Sequence, residues 1–132
     1  MPHPLLQIDQ LSVTFRRDGA LTTPVRDVSL TVQAGERVAV VGESGCGKSL
    51  TALSLTRLSP TDRARLQGRV LFDGTDTLVL NSDGLARVRG RGIAYVFQDP
   101  SASLNPVMRV QDQIAECLPD LPRAARRAAC VE

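Results

Sequence analysis

The chain has 132 residues, 42% of them hydrophobic and 23% charged, and a formal net charge of +2. That balance suits one globular domain with a buried core; it excludes a disordered polyelectrolyte and gives no electrostatic case for nucleic acid. No apolar run approaches the roughly 20 residues a membrane-spanning helix needs, and "MPHPLLQ" lacks the charged-then-apolar order of a secretory leader, so a cytoplasmic location is expected. Cys46, Cys117 and Cys130 form no C-x-x-C pair and are expected to be reduced thiols outside any disulfide framework or zinc site.

Taken in order, "LLQIDQLSVTF" (5–15) alternates as a strand and "RRDGALTTP" (16–24) supplies a Gly/Pro loop. "VRDVSLTV" (25–32) alternates again, so the two strands are expected to pair antiparallel. After the turn "QAGE", the run "VAVV" (38–41) is continuously apolar, the pattern of a strand buried on both faces of an α/β sheet. A helix follows over 48–58, with Leu50, Leu53 and Leu58 available for a buried stripe and Ser59-Pro60 as its stop. "GRVLFDG" (68–74) reads as a strand closed by an Asp73-Gly74 turn, and "SDGLARVRG" (82–90) as a short helical turn. "GIAYVF" (92–97) reads as another apolar strand leading into the polar loop "QDPSASLNP". From Val110, "VQDQIAECL" and "RAARRAACVE" have helical patterns, and the second meets no stop signal, which reads as a chain cut within an element.

The chemistry concentrates in "GESGCGKS" (42–49), where Gly42, Gly47, Lys48 and Ser49 satisfy G-x-x-x-x-G-K-[ST]. An expected buried strand precedes the loop and an expected helix follows it. In that context the backbone N–H groups of Gly42, Glu43, Ser44, Gly45, Cys46 and Gly47 can converge on phosphate, with Lys48 reaching the β and γ phosphates and the Ser49 hydroxyl ligating Mg²⁺. The alternative is a plain glycine-rich turn. Fifteen of the sixteen basic residues are arginine, and the single lysine is Lys48. A compact ammonium on a thin stem fits inside a tight backbone loop where a planar guanidinium does not.

The stretch "VRDVSLTVQAGERVAVVGESGCGKSLTALSL", the strand "GRVLFDG" and above all "IAYVFQDPSASLNPV" resemble the nucleotide-binding subunits of ABC transporters, in particular those of dipeptide, oligopeptide and related nickel importers. The resemblance runs over essentially the whole chain. It implies an α/β fold: a P-loop core, incomplete here, with an antiparallel β subdomain and the opening helices of an α-helical subdomain. It implies ATP and Mg²⁺ as ligands, and transmembrane permease subunits and a second ATPase subunit as partners. The location it implies is the cytoplasmic face of the cell membrane, reached through the permease. It places Gln98 beside Mg²⁺ and the attacking water, a role suited to a neutral amide that both accepts from and donates to its surroundings. A strand-capping glutamine is the alternative. It places Phe15 under the adenine ring, and a core position is the alternative there.

Departures bound the reading. Cys46 stands where serine is frequent in the family, at a position used through its backbone; Pro24 and Leu50 are similarly mild. No L-S-G-G-Q sequence and no apolar strand ending in Asp-Glu occurs, and the only histidine is His3. The expectation is therefore the N-terminal part of one ABC ATPase domain over residues 1–132, ending before the signature motif and acidic strand, that binds ATP without hydrolysing it. The alternative is a non-catalytic nucleotide-binding or regulatory module. A GTPase or small-molecule kinase is disfavoured, since no N-K-x-D motif occurs and the "FQDP" block would be unexplained.

Overall fold

The computed structural model describes residues 3–17, 19–59, 64–99, 104–118 and 121–130. They divide into two compact units, Met1–Ile93 and Ala94–Glu132.

In the first unit, strands β1 (Leu6–Arg17), β2 (Ala20–Val32), β3 (Arg65–Phe72) and β4 (Thr75–Asp76) form one antiparallel sheet in the order β2-β1-β3-β4. The alternation read in the sequence sets its core. Ile8, Leu11 and Val13 of β1, Val25 of β2 and Val70 of β3 are buried together. The step from Ile8 to Leu11 breaks strict alternation, and the strand accommodates it with a register shift on both sides. Gln10 and Asp27 take positive φ there, and side chains replace lost ladder bonds: Gln10 N donates to Ser29 Oγ at 3.0 Å and Asp27 N to Ser12 Oγ at 2.9 Å. The β3–β4 hairpin turns at Asp73 and Gly74, both at positive φ, as a two-residue hairpin requires.

Helix α1 (Lys48–Ser54) follows the glycine loop, and Leu50 and Leu55 pack against the strand core. The helix is shorter than the expected 48–58; Arg57, at φ 55, turns the chain just after it. Thr77, fully buried behind β4, donates from Oγ1 to Leu55 O at 2.6 Å and ties the hairpin to the end of α1. Helix α2 (Ser82–Arg87) is capped by Asn81, whose side chain accepts from Gly84 N at 2.9 Å, and runs into a π-helical turn at Val88–Gly92.

Three expectations are corrected. The run at 38–41 is not a strand: Val38, Val40 and Val41 are 42%, 59% and 90% exposed. Residues 93–97 are likewise not a strand, and Val96 is fully exposed. Both runs have the pattern of parallel strands buried on two faces, and such strands form only when neighbours cover both faces. The antiparallel sheet offers them no ladder. The loop expected at 16–24 is shorter, because β2 already begins at Ala20 and carries Pro24. β2 is an edge strand, where the missing N–H of proline costs no interior ladder bond.

In the second unit, Tyr95 and Phe97 stack with ring centroids 6.3 Å apart. Helices α3 (Val110–Glu116) and α4 (Arg123–Ala129) match the two helical patterns. Gln113 of α3 clamps the turn before it, accepting from Asn105 N at 2.8 Å and donating to Asn105 O at 3.0 Å and Met108 O at 3.1 Å.

Candidate nucleotide-binding loop

Residues 42–49 lead from the irregular 38–41 run into the first turn of α1. Two glycines make the path possible. Gly47, at φ +96, occupies the left-handed region, and a Cβ there would lie 2.8 Å from Pro24 O and 3.2 Å from Val25 Cγ2. Helix α1 therefore starts with its N-cap pressed on β2 at Pro24 and Val25. A Cβ on Gly42 would meet Cys46 Sγ at 2.8 Å, so the absent side chain leaves room for the loop to close on itself.

Lys48 bends back over this loop. Its Nζ donates to Gly42 O at 2.7 Å, to Glu43 O at 2.6 Å and to Cys46 Sγ at 3.4 Å. The ammonium is thus held by neutral backbone carbonyls, and an anion is a stronger acceptor for the same donors. Within the loop Cys46 N donates to Glu43 O at 3.4 Å. Among the described residues, the backbone N–H groups of Ser44, Gly45, Gly47, Lys48 and Ser49 have no protein acceptor. Five consecutive or near-consecutive donors on a loop that also carries an ammonium are the chemistry of an oxyanion cradle. The residues present fit a polyphosphate. Ser49 is exposed, its hydroxyl available to a hard cation beside such a group.

The other two expected site residues lie elsewhere. Phe15 belongs to the same unit, is half-buried, pairs with Thr22 and packs against the strand core. It lies two residues beyond Val13, whose partner Val25 is the residue against Gly47. Gln98 is exposed in a bend after Phe97, in the second unit. The seat that β2 provides at Pro24 and Val25 is absent from the sequence reading, since no local signal marks a contact across more than twenty residues.

The ABC transporter family profile matches residues 25–131, which include the loop, α1, the sheet strand β3 and the "FQDP" block. The chain belongs to the ABC transporter family. It is 46% identical over 127 residues to the oligopeptide transport ATP-binding protein OppD of Mycobacterium bovis, covering 96% of this chain and 21% of that protein. It is 48% identical over 115 residues to a putative peptide import ATP-binding protein of Brucella abortus, covering 87% of this chain and 35% of that one. It is 46% identical over 130 residues to the uncharacterized ABC transporter ATP-binding protein YejF of Escherichia coli, covering 98% and 24% respectively. The chain therefore spans about a fifth to a third of the length of these relatives.

Among solved structures, the fold is shared with the ATP-binding cassette MJ0796 in a dimeric post-hydrolysis state bound to ADP and Pi. The TM-score is 0.77 at 23% identity, over 96% of this chain and 54% of that one. The ABC ATPase fold class read from the sequence holds, with the antiparallel β subdomain formed and the P-loop core incomplete. Among the described residues, no helix is long and apolar enough to cross a membrane.

Proposed function

We propose that this ABC family chain is the phosphate-binding part of the ATPase subunit of an importer for peptides or a related small solute. The observation that carries this reading is Lys48 folded back onto a loop whose backbone N–H groups at Ser44, Gly45, Gly47, Lys48 and Ser49 have no protein acceptor. The names of the relatives support the substrate class.

In this reading residues 42–47 hold the phosphates of ATP through the backbone, Lys48 neutralises the β and γ phosphates, and Ser49 with Gln98 holds Mg²⁺. Bound ATP would supply the energy of γ-phosphoryl transfer to water, and Mg²⁺ would spread its charge. Phe15 stacks on the adenine. Transmembrane permease subunits, met through the loop bearing Gln98, and a second ATPase subunit are the partners, and the location is peripheral at the inner face of the cell membrane. The 132 residues bind ATP but do not hydrolyse it, because they contain no Asp-Glu strand, signature sequence or switch histidine. The same observation favours the second reading, a non-catalytic nucleotide-binding module derived from an ABC ATPase.

Calorimetric titration with MgATP tests the binding. Wild type is expected to bind, and Lys48→Ala to bind at least about tenfold more weakly, since a charge-assisted contact contributes about 1.5–3 kcal/mol. Equal affinities would overturn the assignment of the loop.

A further inference from the structure

The far end of α1 carries a second concentration of positive charge that the nucleotide reading does not use. Arg57, just past the helix, and Arg89, in the π-helical turn, both line a cavity of about 480 Å³ in the first unit. Arg89 donates from Nε to Thr56 O at 3.0 Å and from a terminal nitrogen to Arg57 O at 3.1 Å, while Arg57 donates to Leu78 O at 3.2 Å. These carbonyl contacts orient the two guanidiniums but do not neutralise them. Among the described residues neither arginine is in an ion pair, and no acidic side chain lines the cavity.

The rest of the cavity wall is part polar and part apolar. Ser59 also lines the cavity, and its Oγ is buried with no hydrogen-bond partner, an arrangement that is unfavourable for a hydroxyl. Arg57 holds positive φ at the turn that ends α1, where Arg57 N donates to Ser54 O at 3.1 Å and Leu58 N to Leu53 O at 2.9 Å, which fixes the point from which its side chain reaches the cavity. The Ser82 hydroxyl adds another donor, and Ala64, Leu66 and the buried Leu85 form an apolar wall.

We propose that this cavity binds a small organic phosphate, with its phosphate between Arg57 and Arg89 and its organic part against Leu66 and Leu85. Two guanidiniums match a phosphate dianion in charge and fork geometry better than a single carboxylate. The volume lies in the range of small-molecule sites and leaves space beyond a phosphate alone.

The test is a titration of the ¹⁵N-labelled chain with phenyl phosphate, inorganic phosphate and benzoate, followed by NMR. The amides of Ser82, Leu85 and Arg89 report this cavity, and those of Gly45, Gly47 and Lys48 report the nucleotide loop, so the two readings succeed or fail separately. Phenyl phosphate is expected to give saturable shifts at the cavity amides, with inorganic phosphate and benzoate each at least about tenfold weaker. Arg57→Gln or Arg89→Gln should weaken phenyl phosphate by about tenfold or more. Ser82→Glu, an exposed change at the start of α2 that the helix accepts, should abolish the response by placing a carboxylate in the cavity. Absence of cavity shifts, equal response to benzoate or inorganic phosphate, or shifts that survive Ser82→Glu would overturn the proposal.

Discussion

Lys48 Nζ donates to Gly42 O at 2.7 Å, joining the last residues of the glycine loop to its first. The same ammonium donates to Cys46 Sγ at 3.4 Å, within a loop that has no Cβ at Gly42. An arginine carries the same charge on a wider planar head, and fifteen arginines elsewhere show that the chain does not otherwise avoid it. Lys48→Arg is therefore expected to keep the fold and weaken MgATP by about tenfold or more, measured by competition with a fluorescent nucleotide. Wild-type affinity in Lys48→Arg would mean that only charge, and not the enclosed geometry, matters.

Gly47→Ala should be the most damaging glycine change in the loop. It places a Cβ 2.8 Å from Pro24 O at a φ that L residues disfavour, a combined cost of about 2 kcal/mol or more. Gly45→Ala, at φ +81 with nothing within 4 Å, carries the backbone cost alone, about 1 kcal/mol. Urea denaturation of the two variants gives the comparison, and an equal loss in both would show that Gly47 is not seated on β2.

Leu11→Ala is expected to destabilise the first unit by about 2–5 kcal/mol, because Leu11 is fully buried among Ile8, Val13 and Val70. Val41→Ala, at a position 90% exposed, should change stability by less than about 0.5 kcal/mol. The urea midpoints of the two variants decide it; a large loss in Val41→Ala would mean that the 38–41 run is covered in solution.

The local features were the legible ones. The turn at Asp73-Gly74 and the alternation that buries Val13, Val25 and Val70 depend only on neighbours in sequence, and the structure has both. The 38–41 run reads as a buried strand because its composition answers to a covered environment, and the strands that would cover it are not among those the described sheet provides. The glycine loop is legible as a motif, yet its support on Pro24 and Val25 is a tertiary contact with no pattern to reveal it. Arg57 and Arg89 stand 32 residues apart and look like ordinary surface charge until the fold sets them on one cavity.

Phosphate release from MgATP by the 132-residue chain is expected to stay at background at every protein concentration. Loss of even one group that stabilises the developing charge commonly costs about 10²-fold or more in rate, and several are missing from this sequence. Release that rises with concentration and vanishes in Lys48→Ala would contradict this. In a longer importer ATPase carrying this segment, Gln98→Ala should leave ATP binding intact and lower substrate-stimulated turnover; unchanged turnover in a reconstituted importer would remove Gln98 from the chemistry.

Amine footprinting decides whether the loop embraces the phosphates of ATP around Lys48. Lys48 carries the only side-chain amine, so a limiting acylating reagent modifies it and the N-terminal amine, and mass spectrometry separates the two. MgATP is expected to slow modification of Lys48 at least about tenfold, in step with nucleotide occupancy, while the N-terminus reacts at its original rate. Equal rates at Lys48 with and without saturating MgATP would show that the loop does not enclose the phosphates.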